Sequence, residues 1–170
     1  MSRTDPLFFT PLQLIEFTRF YADEVGRGAY PYIDFDPEQR WHQRIYRDRR
    51  VDVWLISWLP TQGTQLHDHG GSSGSFTVLT GSLAEAVVTG GTSLVDHERA
   101  TGESVGFGDH YVHDVRNLSA SPAVSVHAYS PPLTTMTYYD LGAGGLETIT
   151  SLATDDPEPE FGSSGVQQAS

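Results

Sequence analysis

Cysteine is missing from all 170 residues. Its absence excludes disulfides, thiolate zinc sites and a cysteine nucleophile, and leaves the redox compartment open, because a chain without thiols is indifferent to it. Lysine is missing too: the ten basic residues are all arginine, set against 22 acidic ones, for a net charge of −12. So acidic a chain does not suit a nucleic-acid or anionic-membrane surface as its main partner. No apolar run approaches the ~20 residues of a membrane span, and residues 1–6 lack the basic, apolar character of a signal peptide. The expectation is a soluble, cytoplasmic monomer that handles small molecules.

What is present is the balance of one globular domain, 38% hydrophobic and 19% charged. At this length a fold buries roughly 70% of its unfolded surface and needs no covalent staple. Thr10-Pro11-Leu12-Gln13 combines an N-cap hydroxyl, a proline at the first helical position and a glutamine placed to bond back. Leu14, Ile15, Phe17, Phe20 and Tyr21 then recur at helical spacing, which predicts a helix over 11–25 that ends at Gly26 and Gly28.

From Trp41 onward the pattern changes to short runs of β-branched and aromatic residues between Gly, Pro and Asp signals. Strands are predicted over 43–46, 51–59, 65–68, 75–79, 83–88, 92–95, 104–107, 113–117, 123–129 and 135–139, with Gly81-Ser82 and Gly90-Gly91 as hairpin turns. So many short strands avoid exposed edges most economically as a jelly-roll barrel. The predicted layout is all-β: a helical segment over 1–40, a barrel over 41–140 and an acidic tail over 141–170. From Asp156 the tail is rich in Gly, Ser and Pro; it carries Asp155, Asp156, Glu158 and Glu160, and is expected to be partly flexible.

Seven histidines are present, and His67-Asp68-His69 stands out. Residues i and i+2 of an extended strand share a face, so the two imidazoles can reach one point, a metal-site geometry, although exposed histidine pairs also occur on ordinary loops. Gly63 precedes the pair and Gly81 follows the next apolar strand; later come Gly102, Gly108, His113 and Asn117. These two stretches resemble cupin motifs 1 and 2. The resemblance implies that His67, His69 and His113 meet around one metal inside a jelly-roll barrel. Where most cupins add a Glu after His-x-His, this chain has Gly70-Gly71-Ser72-Ser73-Gly74. Three neutral imidazoles would leave a divalent charge uncompensated and positions open, which suits Fe(II) with an anionic substrate and dioxygen better than structural zinc. His110 is expected in solvent or behind the ligands.

In Ser125-Val126-His127-Ala128-Tyr129, alternation puts Ser125, His127 and Tyr129 on one face. That face is either exposed to solvent or turned toward a polar interior, where it would form a hydrogen-bond relay. Together with Ser130-Pro131-Pro132, the His-x-His pair and the 113–117 segment, this run resembles the cysteine dioxygenase family over residues 41–133. The resemblance implies a mononuclear Fe(II) enzyme that oxidises L-cysteine with O2 to cysteine sulfinic acid. It implies iron held by His67, His69 and His113, and a Ser125-His127-Tyr129 relay that aims the tyrosine hydroxyl at substrate and oxygen. Arg44, in His42-Gln43-Arg44-Ile45-Tyr46, is implied as the partner of the substrate carboxylate. Members that join a cysteine to the tyrosine have it where Gly74 stands, so no such cross-link is expected. His42 stands where many members have Tyr. Trp58 is expected either beside the pocket or as an ordinary core aromatic. Relatives that oxidise 3-mercaptopropionate carry Gln in place of Arg44, which favours cysteine here; a non-catalytic cupin that binds a metal or small ligand is the reading from another class.

Overall fold

The computed structural model describes residues 7–157, and all structural statements concern these. Helix α1 (Pro11–Gly26) starts as predicted. The Gln13 amide N–H bonds the Thr10 hydroxyl at 3.3 Å, and the Gln13 side chain accepts from the Thr10 N–H at 2.9 Å. Leu14, Thr18, Ala22 and Val25 form its buried stripe. No helix among the described residues is long and apolar enough to cross a membrane.

Ten strands follow: β1 (His42–Arg47), β2 (Asp52–Trp58), β3 (Ser73–Thr80), β4 (Ser82–Thr89), β5 (Ser93–Ala100), β6 (Ser104–Phe107), β7 (His113–Arg116), β8 (Ala123–Ser130), β9 (Thr135–Gly142) and β10 (Gly145–Ala153). One layer is the five-stranded sheet β1-β2-β8-β3-β6. The other consists of β5-β4-β7 and the hairpin β10-β9, bridged by residues 63–68 through bonds such as His67 N to His113 O (3.0 Å) and Asp68 N to Thr137 O (2.9 Å). Two layers facing across a core make the expected jelly roll.

Every residue of β2 and β8 is buried, because each of their faces is covered. Trp54, Ile56 and Trp58 face the barrel interior with Phe76, Phe107 and Tyr129. Val53, Leu55, Val124, Val126 and Ala128 pack beneath α1. The polar side of β8 therefore cannot be a solvent face: it points into the barrel.

Two expectations are corrected. Residues 65–68 are held by isolated bridges at His67 instead of forming a regular strand, since they connect two small sheets rather than extend one. The tail predicted from residue 141 begins later, because the chain turns at Gly145 (φ 112°) and returns as β10, paired along β9. Its Thr and Ile alternation serves one strand of a hairpin. The flexibility expected of the tail falls largely on residues 158–170, outside the described residues.

Candidate metal centre

His113 opens β7 and exchanges backbone hydrogen bonds with His67 (3.0 and 3.1 Å), so sheet pairing itself brings the two distant segments together. His69, two residues on, completes a triangle whose ring centroids lie 4.9, 4.9 and 5.2 Å apart. One nitrogen from each ring falls within 4.8 Å of the others, and all three residues are buried. His67 Nδ1 bonds the Gln65 carbonyl at 2.7 Å and His113 Nδ1 bonds Glu85 Oε1 at 2.8 Å, which leaves Nε2 as the edge each ring can offer to an ion. Burial, then mutual repulsion, pushes His67 and His69 well below the ordinary imidazole value, so both rings are neutral and each keeps one nitrogen lone pair.

Buried His69 Nδ1 has no hydrogen-bond partner among the described residues. The donor set thus fits a divalent cation with open positions, one that carries three protein ligands.

Behind this cluster runs the relay. The Trp58 indole N–H donates to Ser125 Oγ at 2.8 Å, Ser125 Oγ meets His127 Nε2 at 2.7 Å, and His127 Nδ1 faces the Tyr129 hydroxyl at 3.4 Å. Burial, followed by the His113 and Arg40 charges, pushes His127 down to about 3, so it is neutral. Trp58 can only donate. The arrangement that uses every donor then has Ser125 donating to His127 Nε2 and His127 donating from Nδ1 to the Tyr129 hydroxyl. Phe76 stacks on His127, and the Tyr129 ring lies 4.9 Å from His69. Trp58 is a core aromatic, buried in the apolar cluster, and its indole N–H also donates into the relay, a contact that was not anticipated.

Gly74 sits opposite Tyr129 in the sheet register. A Cβ there would collide with the Phe107 ring and lie 3.2 Å from Tyr129 Cδ1, so Phe107 occupies the space that a side chain would need.

Arg44 pairs with Trp54, which pairs with His127, so it belongs to the interior face two strands from the relay. Its guanidinium lies 4.5 Å from the Trp54 ring centroid, and Nη2 donates to the Asp155 carbonyl (2.9 Å) and carboxylate (3.3 Å). Arg47 reaches the same carboxylate at 3.4 Å, and His42 Nε2 lies 3.0 Å from Asp156 Oδ2. The Arg44 hydrogen bond holds the Asp155 carboxyl below its usual range. Arg49 and Arg50 stay outside this cluster; His110 is exposed, as expected.

Other residues enter the site that the sequence reading did not single out. Glu85 is the clearest, and a signal for it existed: it occupies the inward register of β4 between buried Leu83 and Val87, where an apolar residue is the rule. Burial alone would raise its carboxyl, but the His113, Tyr111 and Arg99 hydrogen bonds hold it at about 2. Arg40 is 5% exposed, lies 4.9 Å over Trp58 and lowers both His67 and His127 by its charge. No local pattern distinguishes it from its arginine neighbours. Asn117, the motif 2 asparagine, ties the β7 exit to Trp58 and Ser121 carbonyls at 3.0 and 2.8 Å, away from the imidazoles.

The profile of the family described as cysteine dioxygenase type I matches residues 21–141. Human cysteine dioxygenase type 1 is 28% identical over 115 residues, which cover 59% of this chain and 55% of the human protein; the chain thus spans about half the length of that relative. Among solved structures, a Thermus thermophilus protein superposes with TM-score 0.54 at 25% identity over 61% of this chain and 93% of its own. A Klebsiella pneumoniae protein described by its double-stranded β-helix domain superposes with TM-score 0.52 over 69% and 90%, and at 16% identity it speaks to the fold alone. The histidine triangle, the relay and the matching stretch lie within one barrel, and the chain belongs to the cysteine dioxygenase type I family of the cupin superfamily.

Proposed function

We propose that the protein is a thiol dioxygenase that oxidises L-cysteine with O2 to cysteine sulfinic acid at Fe(II) held by His67, His69 and His113. The observation that carries this reading is the buried Trp58-Ser125-His127-Tyr129 chain, whose Tyr129 ring lies beside His69 of the histidine triangle. A protein that only stored a metal would have no use for so costly a polar interior. In the overall reaction the thiol and O2 combine so that both oxygen atoms end on sulfur, which is oxidised by four electrons as O2 is reduced, with no further co-reactant. When bound, iron supplies Lewis acidity that favours the thiolate and redox capacity that activates dioxygen.

The chain's own residues orient and shield. Arg44, pre-stacked on Trp54, pairs with the substrate carboxylate, a planar anion that its fork matches. Asp155 presents a carboxylate to Arg44 now, so the substrate exchanges one carboxylate for another. Tyr129, receiving a hydrogen bond from His127, donates a hydrogen bond to the reacting group. Phe76 and Phe107, packed against His69 and His113, form an apolar wall that keeps water from the centre.

The test is anaerobic Fe(II) loading followed by O2 uptake and product mass spectrometry with cysteine, 3-mercaptopropionate and cysteamine. Cysteine sulfinic acid, one per O2, is expected. Preference for 3-mercaptopropionate overturns the substrate; tightly held zinc with no oxygen consumption overturns the enzyme in favour of a binding cupin.

A further inference from the structure

We infer that Glu85 is a positioning residue that sets the metal affinity of the centre by acting through His113. The inference rests on the reading of His67, His69 and His113 as metal ligands. Glu85 has a fully buried side chain. Its Oε1 accepts from His113 Nδ1 and from the Tyr111 hydroxyl, both at 2.8 Å, and its Oε2 accepts from Arg99 Nε at 2.8 Å and Nη2 at 2.7 Å. Four donors fix one carboxylate. A leucine or valine would serve the core at this register without the desolvation that a buried ion pair entails, so packing alone does not explain the residue.

What the carboxylate does for His113 explains it. Accepting from Nδ1 fixes the tautomer, turns the lone pair of Nε2 toward the other imidazoles and raises the basicity of the ring. The three candidate ligands are graded accordingly: His113 bonds a carboxylate, His67 bonds a backbone carbonyl and the Nδ1 of His69 bonds nothing. The glycine-rich stretch after His69 offers no carboxylate to the ion. Among the described residues, negative charge therefore reaches the centre through the His113 ring, and Arg99, anchoring Glu85 from β5, tempers it.

The experiment measures Fe(II) and Co(II) dissociation constants by chelator competition, together with the Co(II) visible spectrum and thermal unfolding of the metal-free protein. Glu85→Gln keeps an acceptor for His113 and removes the charge. It should weaken both metals roughly tenfold to a hundredfold and shift the Co(II) bands, while metal-free unfolding shows a folded protein. Arg99→Gln, which frees Glu85 to polarise His113 more strongly, should bind a few-fold more tightly. Affinity within twofold of the parent in a folded Glu85→Gln protein overturns the inference. If Glu85→Gln does not fold, Arg99→Gln decides: unchanged or weaker binding overturns it. A parent protein that binds neither metal overturns the metal-centre reading instead, which distinguishes the two failures.

Discussion

The barrel holds two polar regions built on opposite terms. At the histidine end, Ser125, His127, Glu85 and the three candidate ligands are at most 5% exposed, and most of their hydrogen bonds measure 2.7–2.8 Å. At the mouth, Arg44, Arg47 and His42 meet Asp155 and Asp156 across partly exposed contacts of 2.9–3.4 Å. Buried groups are worth much and cannot adjust; exposed ion pairs are worth about 0–1 kcal/mol and exchange readily. On the proposed function, chemistry is placed where packing preorganises it, and recognition where one carboxylate can replace another.

That contrast breaks most visibly at His113. His113→Ala removes an inner ligand and should abolish iron retention, read by metal analysis, and with it activity toward every thiol. Tyr129→Phe should retain iron but lower kcat roughly a hundredfold, because the donor aimed at the reacting group is gone. Equal kcat in the two proteins would remove the relay from the mechanism.

Asp52 joins the two regions, opposite Arg47 on one strand and Tyr129 on the other. Burial raises its carboxyl from the ordinary 3.8 to about 6, against the pull of the Trp54 indole and the Arg44 and Arg47 charges. The folded protein therefore keeps a proton that the unfolded chain releases between about pH 4 and 6. Stability falls as pH rises through that window, and the penalty is complete above it. Asp52→Asn should raise unfolding free energy at pH 7.5 by no more than about 3 kcal/mol, a gain that shrinks toward zero at pH 4, as measured by urea denaturation.

Effects at the mouth are smaller. Arg44→Ala should leave iron content unchanged and cost about 1.5–3 kcal/mol, roughly tenfold or more in KM for cysteine, with cysteamine little affected because it has no carboxylate. Asp155→Asn removes the competing carboxylate and should lower KM for cysteine about two- to threefold, the scale of an exposed ion pair. A larger fall than that of Arg44→Ala's rise would mean that the mouth is closed by its acids instead of merely screened by them.

Much of this was written locally. The capping box at Thr10 and Gln13, the alternation of β4 and β8, and the i, i+2 spacings of His67 with His69 and of Ser125, His127 and Tyr129 need only backbone geometry to be read. The same periodicity put Glu85 on an inward face but could not say what it meets. Its partner His113 is 28 residues away, Arg44 and Asp155 are 111 apart, and Trp58 and Ser125 are 67 apart. Those meetings depend on β4 lying between β5 and β7, on β8 lying between β2 and β3, and on β10 returning the chain to the mouth. Side-chain period is a property of a single strand, set by its own φ and ψ. Strand order is settled only when both layers bury their apolar faces at once, and that decided which imidazole received a carboxylate and which arginine met an acid.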